Sequence, residues 1–349
     1  MRIACVALFL TFTWAYLYFY QADILTATQH LLSDGKTHYD RTIGAVLITL
    51  ALYVLHLAVL ALTKITRRAH AVTYFPSLLA LAVLTGIRVH ADGTFDFGFW
   101  PWLSAVLLAI FVGVAFFLYK VSLLEKHIKV KVKPVRLLWG NLLLMCLMFL
   151  FVGLTANHDD VFHYRMKMEN CMLQRDYRGA LEAGRRSLAT DSALTRLRIH
   201  ALVKSGRLGE QLFEYPLVGG SAVMMPTAGR PASVFYPASR FVRFPAREFN
   251  LCQYLLDCNL DAFVRELAKD SVLVDSARLD TLPKHYREAL VLYNHLRSAP
   301  LITFHHDVMD ADYADFQKLA RSEADRQLRM TKLRDIYGTT YWYYYATRR

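Results

Sequence analysis

Five stretches of the first 155 residues contain no Asp, Glu, Lys or Arg: 3–20, 42–62, 71–87, 100–119 and 137–155. Each approaches or reaches the ~20 apolar residues a helix needs to cross a bilayer core. Backbone polar groups find no water at that depth, so such stretches are driven toward helix. Aromatic side chains mark several ends: Tyr16, Tyr18 and Tyr20 on the first, Trp100 and Trp102 on the fourth, Trp139 on the fifth. Amphipathic rings favour the headgroup level. The stretch 71–87 is the shortest and carries Pro76 near its start. The first stretch reads as a retained span. Its only preceding basic residue is Arg2, and no small-x-small cleavage site follows.

The rest of the chain has a different composition. Residues 1–155 hold 13 basic and 6 acidic side chains, whereas 156–349 hold 28 and 23. The mean hydropathy of +0.23 is therefore an average over an apolar half and an ordinary one. This excludes a disordered or collagen-like chain and a single soluble domain. The net charge of +12 divides into +7 and +5, so the basic balance is weak evidence for a polyanionic partner. Nucleic acid is not expected.

Basic residues in loops set orientation. With five spans, one side holds Arg2, Lys64, Arg67, Arg68, Lys120, Lys126, Lys129, Lys131, Lys133 and Arg136. The other holds Lys36, Arg41 and Arg88. The richer side is expected to be cytoplasmic, which puts residues 156–349 outside the cytoplasmic membrane of a bacterium. That expectation depends on 71–87 crossing fully. The basic run Glu125–Lys133 reads as a topology determinant, with anionic lipid as its other possible role. Transporters usually carry ionisable groups inside the membrane. Here His56 is the one such residue in a span, and Asn141 is a second polar one. Both read as packing or interhelical glue, so a transporter component is disfavoured.

Residues 156–349 show helical periodicity. Val161, Tyr164, Met168, Cys171 and Met172 fall on one face, and so do Tyr177, Ala180, Leu181, Gly184 and Leu188. Asp176 stands between them as a helix cap. The segment Asp176–Leu181 with Leu188–Asp191 resembles the second helix of a tetratricopeptide repeat, although Ser192 replaces the usual Pro and Gly184 an aromatic residue. A shorter pair follows at 194–215, and Tyr286, Ala289 and Tyr293 repeat the spacing. Residues 260–274 would supply the helix before them. The resemblance implies stacked helix pairs with a concave binding surface. One long final helix is expected over 314–336. Two further motifs are Leu282-Pro283-Lys284-His285-Tyr286-Arg287-Glu288-Ala289-Leu290 and Tyr337-Gly338-Thr339-Thr340-Tyr341-Trp342-Tyr343-Tyr344-Tyr345. With the layout of spans, they resemble a family of uncharacterised bacterial envelope proteins, which implies no particular activity. The aromatic ending reads as a cap over the last helices.

A loop insertion at about 216–247 interrupts the helices. It interleaves Arg230, Arg240 and Arg243 with Phe241 and Phe244. Such a loop packs across the helices or meets an acidic partner. The candidate binding residues are these five with Arg178, Arg185, Arg196 and Arg198, since Arg suits bidentate recognition of carboxylate or phosphate. His158, Asp159 and His163 are weak metal candidates, because Asp159 and His163 would lie one turn apart on a helix. His305, His306, Asp307 and Asp310 form a second weak cluster that reads as a loop and helix cap. No nucleophile elbow, phosphate loop, H-E-x-x-H or dinucleotide fingerprint is found in the sequence. Cys252 and Cys258, read as lying on one helix, are too far apart to bridge; the cysteines read as free thiols, with a Cys171 bridge to Cys252 or Cys258 as the alternative.

The expected fold is all-α: a five-helix transmembrane bundle over 1–155, then a tetratricopeptide-like α-α domain over 156–349. The expected function is a polytopic membrane protein whose tail binds a protein or peptide or acts as a scaffold in the cell envelope, with no cofactor and no catalytic residues. Its partners are the lipid bilayer and that protein or peptide. The alternative is a membrane enzyme or accessory subunit in envelope polymer or lipid processing, with its site at the juxtamembrane His158–His163 segment.

Overall fold

The computed structural model describes residues 1–63, 65, 67–90, 94–128, 134–224, 234–235, 246–269, 279–322 and 325–348. The chain divides into two compact units, Met1–Asp159 and Asp160–Arg349. The described secondary structure is helical apart from one two-stranded hairpin.

The first unit contains α1 (Arg2–Ala15, continued by a π turn to Tyr20), α2 (Ala22–Leu32), α3 (Arg41–Thr63), α4 (Phe75–Thr85), β1 (Arg88–Val89), β2 (Phe95–Asp96), α5 (Trp100–Ile128) and α6 (Pro134–Thr155). Four helical stretches are long and apolar enough to cross a membrane: Arg2–Tyr20, Arg41–Thr63, Trp100–Val121 and Pro134–Thr155. This is a membrane protein. Its outward surface is apolar, with Leu47, Leu50, Val54, Phe116, Phe117 and Leu150 all exposed.

The third apolar stretch differs from the single helix expected. Arg67–Tyr74 is a 3-10 helix broken at Ala69 (φ −117°, ψ 28°), and only then does the 11-residue α4 begin. Proline lacks an N–H and is tolerated in the first helical turn. Pro76 sits there, so regular α-helix cannot continue back through it. At about 2.0 Å per 3-10 residue and 1.5 Å per α residue, the whole stretch climbs on the order of 30 Å. α4 is also well buried, with Leu78, Leu79, Leu81 and Ala82 inside.

Contacts fix the directions of these elements. Asn141 Nδ2 lies 3.4 Å from Met1 Sδ, so α1 and α6 start at one end. Tyr16 OH lies 3.4 Å from Thr85 Oγ1, and Asn157 N–H donates to Thr85 O at 3.1 Å, so α1, α4 and α6 finish at the other. α3 runs antiparallel to α4: Ser77 Oγ donates to Leu52 O at 2.8 Å, and the His56 ring stacks on Tyr74 at 3.6 Å. α5 starts beside the end of α4, where a Cβ on Gly86 would run into the Trp100 indole. Further along, Phe111 stacks on Phe75. Asn141 is glue in a literal sense. Its Oδ1 accepts the Ala71 N–H at 2.7 Å while its amide donates to Leu137 O at 2.8 Å.

The second unit contains α7 (Asp160–Leu173), α8 (Tyr177–Glu182), α9 (Ser192–Lys204), α10 (Leu208–Gln211), α11 (Ala246–Leu256), α12 (Leu260–Ala268), α13 (Lys284–Leu296), α14 (Asp307–Ser322), α15 (Arg326–Tyr337) and α16 (Tyr341–Arg348). One core joins them, built on Leu197, Leu202, Leu255, Phe263, Leu290 and Tyr341. Side-chain caps set several starts. Asp176, Asp191, Asn259 and Asp325 each accept a backbone N–H from the first turn of the helix they precede.

The helix after Asp176 was expected to reach Leu188 but stops at Glu182. Ala183 is extended and Gly184 takes φ +64°. A side chain at Gly184 would lie 2.6 Å from the Tyr164 ring. The close approach of chain to ring therefore ends the helix, and Leu188 is left exposed. The partner helix in the next pair, α10, has four residues. Residues 270–274, the end of a further expected helix, lie outside the described residues. The expected final helix is two, α14 and α15, with Asp325 capping the second through Gln327 N–H at 2.8 Å. Cys258 is not on the helix of Cys252: α11 ends at Leu256 and Cys258 has φ +55°. All five cysteines are free thiols.

Candidate functional site

The motif containing His285 and Glu288 meets the aromatic ending in the tail's core. On α13 these two residues are three apart and share a face. Glu288 Oε2 accepts the backbone N–H of Tyr341 at 2.7 Å, which caps α16 across a sequence distance of 53 residues. The same oxygen lies 2.8 Å from His285 Nδ1. Phe213 N–H donates to His285 Nε2 at 3.3 Å, so the imidazole proton sits on Nδ1 and donates to Glu288. Glu288 also presents its backbone oxygen to the Trp342 indole N–H at 2.8 Å. Lys284 Nζ lies 3.9 Å from Glu288 Oε1 and 4.0 Å from Glu214 Oε1, supplying positive charge at the edge of the cluster. His285 and Glu288 are buried. A buried carboxylate is tolerated when its hydrogen bonds are complete, and here they tie three segments together.

Glu169 acts in the same way on another segment. It is fully buried, and its two oxygens accept the N–H groups of Val234 and Phe235 at 3.2 and 2.6 Å. Arg165, also buried, reaches Asp191 at 3.6 Å.

The arginines named from sequence separate into two groups. Arg198 is 1% exposed. It donates to Thr190 Oγ1 and Gly184 O, both at 3.3 Å, and lies over the Tyr215 ring. Arg196 Nε donates to Val223 O at 3.1 Å and is half-buried. Both hold loops in place and neither faces solvent as a binding group would. Arg185 and Arg178 are exposed. Arg185 pairs with Glu182 at 2.8 Å and with Glu214 at 3.7 Å. Arg230, Arg240, Arg243, Phe241 and Phe244 lie outside the described residues.

The metal candidates do not assemble. α7 begins at Asp160, so Asp159 stands just before its first turn and His158 outside it. His163 is half-buried on α7, edge-on to Phe162. Among the described residues no three His, Cys, Asp or Glu side chains are grouped to hold a metal ion. The second cluster is a helix cap: His306 Nδ1 accepts Met309 N–H at 3.4 Å, and Asp310 accepts His306 N–H at 3.1 Å.

His158 and Asp159 instead line a cleft of about 400 Å³ in the first unit. The ends of α4 and α6 and the start of α5 form its base, and the β1–β2 hairpin forms one wall. Trp100 lies at its floor, 4% exposed, while Arg88 and His90 stand exposed at its edge. His90 Nε2 is 2.6 Å from Asp96 Oδ2 across the hairpin. The Asp96 carboxyl is held below the usual carboxylate range by that bond and by the Gly98 N–H.

The role of Glu288 was missed in the sequence. The signal was present, since His and Glu three apart inside an apolar run mark a polar pair on a buried helix face. Its partners, Tyr341 and Phe213, are distant in the chain.

These features define a membrane protein with a helical second unit held by buried polar nodes. Residues 243–348, under a third of the chain, match a family model described as Family of unknown function (DUF6057). The match covers the His285–Glu288 and Tyr341–Trp342 segments of the node and leaves out Phe213. No curated protein matches the chain, and no solved structure does.

Proposed function

We propose that this chain is a non-enzymatic, multi-pass protein of a bacterial cytoplasmic membrane whose helical tail docks a protein or peptide partner outside the cytoplasm. One observation carries the docking role. α15 buries a single residue, Leu333, and turns Leu328 and Ile336 outward at 46% and 64% exposure. The two lie on one i±4 row of the helix, beside exposed Arg326 and Arg334. A helix that gives so little to its own core and displays apolar and basic residues together suits a partner with an apolar anchor and acidic flanks. The buried groups of the tail support a binding role over a catalytic one. Glu288, His285, Glu169 and Arg198 all bond neighbouring backbone. In this reading the exposed Arg178 serves polar contact, Arg185 is engaged by Glu182 and Glu214, and Arg196 and Arg198 hold loops.

A photo-crosslinking residue at Ile336, in the full chain in its native membrane, tests this. The expected result is a discrete protein adduct that Leu328→Asp diminishes and that the same crosslinker at Arg178 gives less strongly. Adducts to lipid alone, or none, would remove the docking face from the account.

A further inference from the structure

We infer that the partner docked by α15 is a second copy of this chain, met on the outward face of α14. The inference rests on the docking role of α15 and names its partner. α14 and α15 pack against each other and give residues to one core, Tyr313 and Phe316 from the first and Leu333 from the second. Their remaining faces turn away from that core side by side and do not cover each other. The two helices carry opposite charge. α14 has four acids against two bases, a net −2, and α15 has four bases against one acid, a net +3.

The face of α14 offers the apolar anchor and acidic flanks that α15 calls for. Val308 is 65% exposed, and Asp307, Ala311, Asp312 and Ala314 are exposed around it. Residues 307, 311 and 314 share one helical row, and 308, 312 and 315 the next. Ala311 and Ala314 are short enough for another helix to come close, Val308 gives apolar contact, and Asp307 and Asp312 supply the charge. Asp310 and Asp315 are already engaged, the first by His295 and His305 and the second by Lys318. Leu328 and Ile336 lie about 12 Å apart along α15, and Asp307 and Asp315 are spaced equally along α14. One helix can therefore lie along the other with apolar residues between them and opposite charges at the rim. Every copy carries both faces, so a two-fold arrangement makes the contact twice, α15 of either copy on α14 of the other. Two copies inserted the same way in one membrane hold their tails on the same side, which raises their effective concentration. A partner of unrelated sequence would have to supply an apolar and acidic surface that this chain already has.

The test uses two differently tagged full chains in one native membrane, each with the photo-crosslinking residue at Ile336. Chains otherwise unchanged should give an adduct of two 40.1 kDa chains that carries both tags. One variant reverses the basic face, Arg326→Glu with Arg334→Glu. The other reverses the acidic face, Asp307→Lys with Asp312→Lys. Either variant alone should lose the adduct about tenfold, because like charges then meet at both contacts. The two variants together should recover it, since both contacts again pair opposite charges, and that recovery also shows that each variant folds. A full adduct from either variant alone, or no recovery on mixing, would overturn the inference. An adduct from Ile336 to a different protein would overturn it as well and leave the docking role of α15 intact. No protein adduct at all would remove both.

Discussion

Glu288 carries two tasks on one oxygen, accepting a backbone N–H and an imidazole N–H. Removing the carboxylate with Glu288→Ala leaves the Tyr341 N–H and the His285 Nδ1–H buried without an acceptor. Each such group costs about 1–3 kcal/mol, so the tail should lose about 3 kcal/mol. Glu288→Gln keeps one carbonyl oxygen for Tyr341 and should cost about 1 kcal/mol. Denaturant unfolding followed by near-ultraviolet circular dichroism reads both changes; an unshifted midpoint in the alanine variant would falsify the node. His200 gives a second prediction at this scale. Burial, and then the charges of Arg196 and Lys204, push its pKa down to about 3 from an ordinary value near 6.5. The unfolded chain therefore binds the proton first as pH falls. Stability is complete above about pH 6.5, declines from there, and is lower by on the order of 4 kcal/mol at pH 3. His200→Gln should flatten that part of the stability–pH curve, and the same slope in both proteins would remove His200 as its source.

At the scale of elements, periodicity made three helices readable: α7, α9 and α13 lie where the apolar spacing puts them. The second helices of the first two pairs were not readable. What ends α8 is the fit of Gly184 against Tyr164, a tertiary contact that leaves only a glycine as its mark in the sequence. The third apolar stretch failed similarly. Composition gave its apolar length, but Pro76 and the break at Ala69 decided that it would be 3-10 and then α. Of the candidate site, the arginines were identified by type alone, and type does not distinguish Arg198, buried on Tyr215, from Arg178 at the surface. The Gly184 argument is testable. Gly184→Ala must either hold a positive φ or displace the ring. It should destabilise the tail by about 1–3 kcal/mol while Gly206→Ala, also at positive φ but with open space for a Cβ, costs less. Equal costs at the two sites would show that the ring contact is unimportant.

For the whole molecule, the directions of the apolar elements bear on which side of the membrane each half lies. α1 runs away from Met1, α3 returns, the stretch 67–85 runs out again, α5 returns, and α6 leaves the Met1 end for the last time. The stretch 67–85 is the weak link, because α4 alone is about 16 Å long, half of what a crossing needs. Yet Thr85 lies with Tyr16, and Ala71 lies with Asn141 near the opposite end, so the 3-10 segment supplies the missing height. Were all five to cross the membrane, Met1 and residue 155 would lie on opposite sides, which we propose. On that arrangement the sequence expectation is ten Lys and Arg on the side of Met1 against three on the other, and we propose a cytoplasmic Met1. A bacterial alkaline phosphatase fused after Arg349 should therefore be active, and a green fluorescent protein fused there should be dark. Fusions after Leu62 should behave oppositely, since that junction lies one crossing from the tail's side. A fluorescent C-terminal fusion with an inactive phosphatase would mean that 67–85 enters and leaves by the same face, and the tail with its α15 surface would then meet cytoplasmic partners.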